Sequence, residues 1–223
     1  MMSKKSIVFE KIYKNYLSQI AVLDTRSLKE ALFIQTDGNK AIIPFFGKPY
    51  RISSEGVSDF SGNKPDHSVC IILFKYLLLC PQVEPRGESE WVAYRDFKDA
   101  APFVGGFATN TEKAIAKNFS GRLDTLKSVC TSLAGNASDI DATYDFVMQF
   151  SALPKVPLLL LFNDADEGFP AQCKVLFERR AAKYLDMECL AMAGMLLSLY
   201  LKKSGLIQPY ESGDNSDAHP STL

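Results

Sequence analysis

The stretch Leu153 to Cys189, LPKVPLLLLFNDADEGFPAQCKVLFERRAAKYLDMEC, decides how this chain is read. An apolar run, Val156 to Phe162, empties into the acidic turn Asn163-Asp164-Ala165-Asp166-Glu167-Gly168. The run has the length of a buried strand, and Pro157 restricts it to a strand start or a sheet edge. Three further carboxylates, Glu178, Asp186 and Glu188, follow on a segment read as a helix, from Val175 or Ala181 to about Lys203. Leu185, Cys189, Met192, Leu196 and Leu199 form its apolar spine, and Lys202-Lys203 suit its C-terminal dipole end. Acidic groups just past the end of a buried strand lie where α/β-type proteins often hold ligands.

Working outward, Tyr144 to Phe150 reads as a strand joined to the apolar run through Ser151-Ala152-Leu153-Pro154. Before it, Gly105-Gly106 leads into Thr109-Asn110-Thr111-Glu112, a capping-box pattern, and a long helix to about Leu133. Gly135-Asn136 supplies a left-handed stop for that helix. Trp91 to Tyr94 predicts a brief strand, and Pro65-Asp66 opens a helix, His67 to Leu79, that is apolar almost all round and therefore buried.

Nearer the N-terminus the period changes. Ala31 to Thr36 and Lys40 to Phe46 flank Asp37-Gly38-Asn39, a hairpin signal, with a third short strand at Tyr50 to Ile52 and a loop from Ser53 to Lys64. Phe9 to Ile20 carries helical spacing, and Ser27-Leu28-Lys29-Glu30 has capping-box form. No internal repeat or linker interrupts the chain. The expectation is a single α+β domain over residues 1–203, with antiparallel hairpins packed against roughly four helices, and a loose polar tail over 204–223.

Composition narrows the function classes. The formal charge is -1 over 223 residues, and the basic doublets Lys4-Lys5, Arg179-Arg180 and Lys202-Lys203 are scattered, which argues against a nucleic-acid partner. The longest apolar run, Ser68 to Cys80, is broken by Lys75 and falls short of the ~18 residues that suggest a membrane span, so no membrane partner is expected. The N-terminus has no uninterrupted apolar core of a secretory signal. Cys70, Cys80, Cys130, Cys173 and Cys189 are far apart, form no C-x-x-C pair and sit in apolar stretches; they read as core thiols in a reducing cytoplasm. No metal site is read from them.

The candidate site residues are Asn163, Asp164, Asp166, Glu167, Glu188, Gly105 and Gly106. Counting Asp164 as the first position of a calcium loop puts Gly168 at the fifth and Val175 at the twelfth, so that template fails, and a plain solvated turn is the competing reading. Glu188 has Tyr184, Leu185, Ala191 and Met192 one turn away; if that face packs inward, its carboxylate needs Arg179, Arg180 or a tyrosine as partner. Asp186 is expected on another face, exposed. Gly105-Gly106 can offer free N–H groups to an anion or serve only as a turn. Trp91, Tyr94, Phe97, Phe103 and Phe107 line a pocket for a flat ligand or belong to the core.

The stretch from Leu153 onward, with EWVAYRDF and APFVGGFATNTEKAIAKNF, resembles a bacterial family of unknown function found mainly in anaerobes. Its members are often labelled putative iron–sulfur cluster proteins, and the resemblance covers most of residues 25–203. Some members carry a separate cysteine-rich cluster domain ahead of this region, which the five cysteines here do not replace. The resemblance implies a stand-alone module accessory to cofactor-dependent metabolism, with a metallocofactor protein or a small molecule as partner, and it carries over no catalytic residues, cofactor or oligomeric state. Three readings follow: a ligand- or partner-binding module, with its pocket around Asn163 to Phe169, the start of the last helix and Gly105-Gly106; an enzyme holding a divalent metal on Asp164, Asp166, Glu167 and Glu188; or an interaction protein.

Overall fold

The computed structural model describes residues 4–85, 89–138, 140 and 143–207; the part of the expected tail from 208 on lies outside the described residues. Helix α1 (Lys4–Ala21) is followed by a 3-10 turn, Thr25–Leu28, capped by Asp24, whose carboxylate accepts from the Arg26 N–H at 3.2 Å. That turn displaces the expected capping box: the short helix α2 (Lys29–Leu32) has no side-chain cap. Phe33 then takes a left-handed conformation (φ 53) that ends α2, so β1 (Gln35–Asp37) starts later than the spacing from Ala31 suggests.

Strands β1, β2 (Lys40–Phe45), β3 (Lys48–Ser53) and β4 (Gly56–Asp59) form an antiparallel meander. The hairpin at Gly38-Asn39 matches its signal, with Asp37 paired to Lys40. β4 occupies part of the expected loop. It is held from outside its own sequence: the Tyr13 hydroxyl accepts from the Val57 N–H at 3.0 Å and lies 2.8 Å from where a Cβ on Gly56 would stand. Helix α3 (His67–Leu78) is buried along most of its length, and its Tyr76 hydroxyl donates to the Leu32 carbonyl (2.9 Å) and accepts from the Lys155 N–H (3.1 Å).

The second sheet has the order β5-β8-β7-β6, all antiparallel, from β5 (Trp91–Ala93), β6 (Phe146–Leu153), β7 (Val156–Asn163) and β8 (Gln172–Glu178). β7 is an interior strand, and Leu158 to Phe162 are all buried, which accounts for its unbroken apolar run. Pro157 sits at its start, opposite Ser151 where the β6 register slips. β8 corrects the helix expected from Val175: Cys173, Val175 and Phe177 point inward with period two, so Glu178 lies on a strand. A 3-10 stretch, Arg179–Lys183, follows, and the helix proper, α7, runs Met187–Ile207.

The single helix expected from Thr109 to Leu133 is three pieces, a π-helical turn (Ala108–Glu112), α5 (Lys113–Phe119) and α6 (Leu123–Ser132), preceded by the short α4 (Val104–Phe107). Gly121, with φ 68, breaks the last two apart. The left-handed stop falls on Ala134 (φ 56), one residue before Gly135. α7 is the hub, touching α3, α4, α5 and α6. The two sheets meet where the Phe46 N–H donates to the Ala152 carbonyl at 3.0 Å, and one continuous apolar core runs through both. The architecture is α+β. Among the described residues no helix is long and apolar enough to cross a membrane.

Candidate functional site

Thr109 to Glu112 does not cap a helix; it is the π-helical turn, a conformation that is rare and concentrated at functional sites. Its Glu112 carboxylate reaches β8 and accepts from the Val175 N–H at 3.2 Å. Gly105 and Gly106 lie within the single turn of the four-residue α4 instead of in a loop before it. α7 can approach this segment because position 194 is glycine. A Cβ there would stand 2.4 Å from Phe107 Cε2 and 3.2 Å from Thr111 Cγ2. Glycine inside a helix costs about 1 kcal/mol relative to alanine, so close packing is its use here. Behind the contact Phe107 stacks on Tyr94 (4.4 Å, 17°), whose hydroxyl donates to the Met187 carbonyl at 2.7 Å.

Between the two helical stripes lies a cavity of ≈ 270 Å³. Phe103, Gly106, Phe107, Asn110 and Thr111 border it from the α4 and π-helical side, and Glu188, Ala191, Met192 and Met195 from α7. Thr111 is fully buried and its Oγ1 has no hydrogen-bond partner among the described residues. An unsatisfied buried hydroxyl costs on the order of 1–3 kcal/mol, and native structures keep few of them. A larger recess of ≈ 590 Å³ adjoins the first turn of α7 and shares Phe103 and Glu188 with the cavity. Tyr94, Phe97 and Phe107 belong to the core, whereas Phe103 is half-buried at the junction.

The electrostatics differ from expectation at both carboxylates of α7's start. Glu188 is exposed and makes no ion pair among the described residues, because Arg179 pairs with Glu90 and Arg180 with Glu178. Asp186, expected to be exposed, is half-buried: it accepts from the Cys189 N–H at 2.9 Å and meets Lys75 Nζ at 3.1 Å. Burial pushes its carboxyl up, but the Cys189 N–H and the Lys75 ammonium together bring it below the usual carboxylate range. The Tyr94 phenol is pushed up to about 12, by burial first and then by the charges of Asp186 and Glu188.

The acidic turn is elsewhere and is occupied with itself. Asn163 Oδ1 accepts from the Asp145 N–H (3.1 Å), and Asp164 Oδ1 from the N–H groups of Gly121 (2.6 Å) and Ala165 (2.7 Å). Asp166 Oδ1 accepts from the Glu167 N–H at 2.7 Å, and paired backbone bonds between Asp166 and Phe169 close a tight turn at Gly168 (φ 85). Asp166 and Glu167 are exposed. Next to Gly121, Arg122 reaches the carbonyl of Gly205, 17 residues along α7 from Glu188, which is about 25 Å of helix. The structure thus joins Gly106 to Glu188 and separates both from Asn163, Asp164, Asp166 and Glu167. The physical reason is β8, which carries the chain from the turn across the whole sheet before α7 begins.

Among the described residues no group of three or more His, Cys, Asp or Glu side chains is placed to hold a metal ion. Burial pushes the Cys70 thiol up to about 11 and Cys130 up to about 12, and raises Cys173 and Cys189 as well, as expected of protonated core groups.

A third recess, of ≈ 480 Å³, was not visible in the sequence. It lies among Phe46, Tyr50, Tyr200 and the start of α3. Its most buried carboxylate, Asp59, is already satisfied by Lys48 Nζ (3.0 Å) and by the N–H groups of Ser61 (3.0 Å) and Asn63 (2.9 Å). That contrast favours the Thr111 cavity as the site.

The fold and cavity define an α+β protein with two four-stranded antiparallel sheets and a recess at a π-helical turn. By sequence the chain belongs to the DUF3786 family, a domain of unknown function, whose model matches residues 24–200. No curated protein and no solved structure shows significant similarity to it.

Proposed function

We propose that this chain is a binding module that takes a small organic molecule in the cavity between the π-helical turn and α7. One observation carries the reading: Thr111, which borders this mostly apolar cavity, has a buried hydroxyl with no hydrogen-bond partner among the described residues. Ligand sites are concave and mostly apolar, with a few polar groups that fix orientation, and Asn110, Thr111 and Glu188 are such groups here. The chain works beside a cofactor-dependent partner in a reducing cytoplasm; five unpaired cysteines support the compartment, and the likeness to a family from anaerobes supports the metabolic setting. Native mass spectrometry of anaerobically purified protein tests the reading. A copurified small molecule that is lost in Ala191→Phe, which fills the cavity, supports it. A molecule retained by that variant places the site elsewhere.

A further inference from the structure

We infer that the cavity selects a planar nitrogen heterocycle presenting N–H donors, neutral or protonated, and discriminates against organic acids. This rests on the cavity being the ligand site. The inner walls are the rings of Phe103 and Phe107 and the thioethers of Met192 and Met195, flat or deformable polarizable surfaces that favour an aromatic ring over a bulky aliphatic. A volume of ≈ 270 Å³ suits a ring system of modest size.

The polar groups set the rest of the chemistry. Asn110 and Thr111 each offer both a donor and an acceptor, so they orient a ligand edge without choosing its charge. Among the described residues Glu188 is the only ionisable group lining the inner cavity, and an ionised carboxylate only accepts. A ligand amino group or ring N–H satisfies it, and a protonated ring adds attraction to the half-buried ring of Phe103. An acid would instead set like charges together. The positive end of α7 is already offset by the charge of Asp186, whose carboxylate accepts from the Cys189 N–H. Lys98 and Lys183 border only the outer recess.

Three probes with one ring system separate the alternatives: quinoline, 4-aminoquinoline and quinoline-4-carboxylate, titrated calorimetrically into the full chain. Glu188 is exposed, so solvent screening limits the expected preference to about fivefold for the amine over quinoline, with the carboxylate weakest. Glu188→Gln removes most of that preference. Thr111→Val weakens the probes that hydrogen-bond at the inner wall, and Ala191→Phe abolishes all three. If the carboxylate binds as well as the amine, or the preference survives Glu188→Gln, the ligand class is wrong while the site stands. If no probe binds, or binding survives Ala191→Phe, both the class and the site reading fall. Glu188 is a surface position, so its variant tests the class in a folded protein.

Discussion

The acidic turn and the π-helical cavity are opposites in how they display themselves. The turn concentrates Asp164, Asp166 and Glu167 within four residues, yet Oδ1 of Asp164 and of Asp166 accepts from backbone N–H groups of the turn itself and of Gly121. The cavity is bordered mainly by Phe, Met, Ala and Gly, and the buried hydroxyl of one bordering residue, Thr111, has no partner among the described residues. Density of charged residues marks where a chain turns in water. Unsatisfied hydrogen-bonding capacity beside a concave, mostly apolar recess marks where it can hold something else.

The largest effect expected is at the contact that creates the cavity. Gly194→Leu drives a side chain into Phe107, whose ring is fixed against Tyr94 and Phe177 and cannot swing away. We expect a loss of about 3 kcal/mol in urea unfolding. Gly168→Ala in the turn meets open space and suffers only from its left-handed backbone, a cost of about 1 kcal/mol. Equal losses would mean that the π-helical segment is not tightly docked on α7.

Next comes Asp186→Ala, which removes the cap of α7 and the partner of Lys75; a loss of about 1–2 kcal/mol is expected at neutral pH. The sign with pH is fixed by direction. The folded carboxyl lies below its ordinary value, so its contribution is complete above that value and disappears as pH falls through the folded one. The gap between wild type and variant should therefore close in acid, below about pH 4. A gap that widened there would contradict the ion pair with Lys75.

Much of the architecture is legible in local pattern. The apolar run of β7, the all-round apolar α3 and the Gly38-Asn39 hairpin each follow from period and turn chemistry. What escaped is non-local. β5 pairs with β8 across some eighty residues of chain, and β4 is held by Tyr13. β8 did carry a signal, the alternation Cys173, Val175, Phe177, but a helix-forming stretch immediately behind it masked the strand. That one misreading moved Glu188 to the wrong end of the sheet. Of the candidate residues, Gly106 and Glu188 meet at the cavity, whereas Thr111 appeared only as a member of a capping box. No sequence period announces a π-helical turn, since it arises from packing against Gly194 and β8.

Thr111→Val sharpens the contrast because its sign is unusual. Valine keeps the shape and removes the unpartnered oxygen, so the unliganded protein should gain about 1 kcal/mol, read as a higher thermal midpoint. A loss of similar size would show that the hydroxyl is satisfied and that the cavity has no unmet demand.

The smallest effect belongs to the turn. Asp166→Asn combined with Glu167→Gln removes two exposed charges and retains an oxygen at position 166 able to accept from the residue 167 N–H. Surface changes away from caps and packed contacts stay within about 0.5 kcal/mol, and no change in amine-probe affinity is expected. The turn lies nearly a whole length of α7 from Glu188, well beyond the ~8 Å over which exposed charges act at physiological salt. If the double variant weakened amine binding as strongly as Glu188→Gln does, the two ends of α7 would have to communicate, and the separation drawn between them would be wrong.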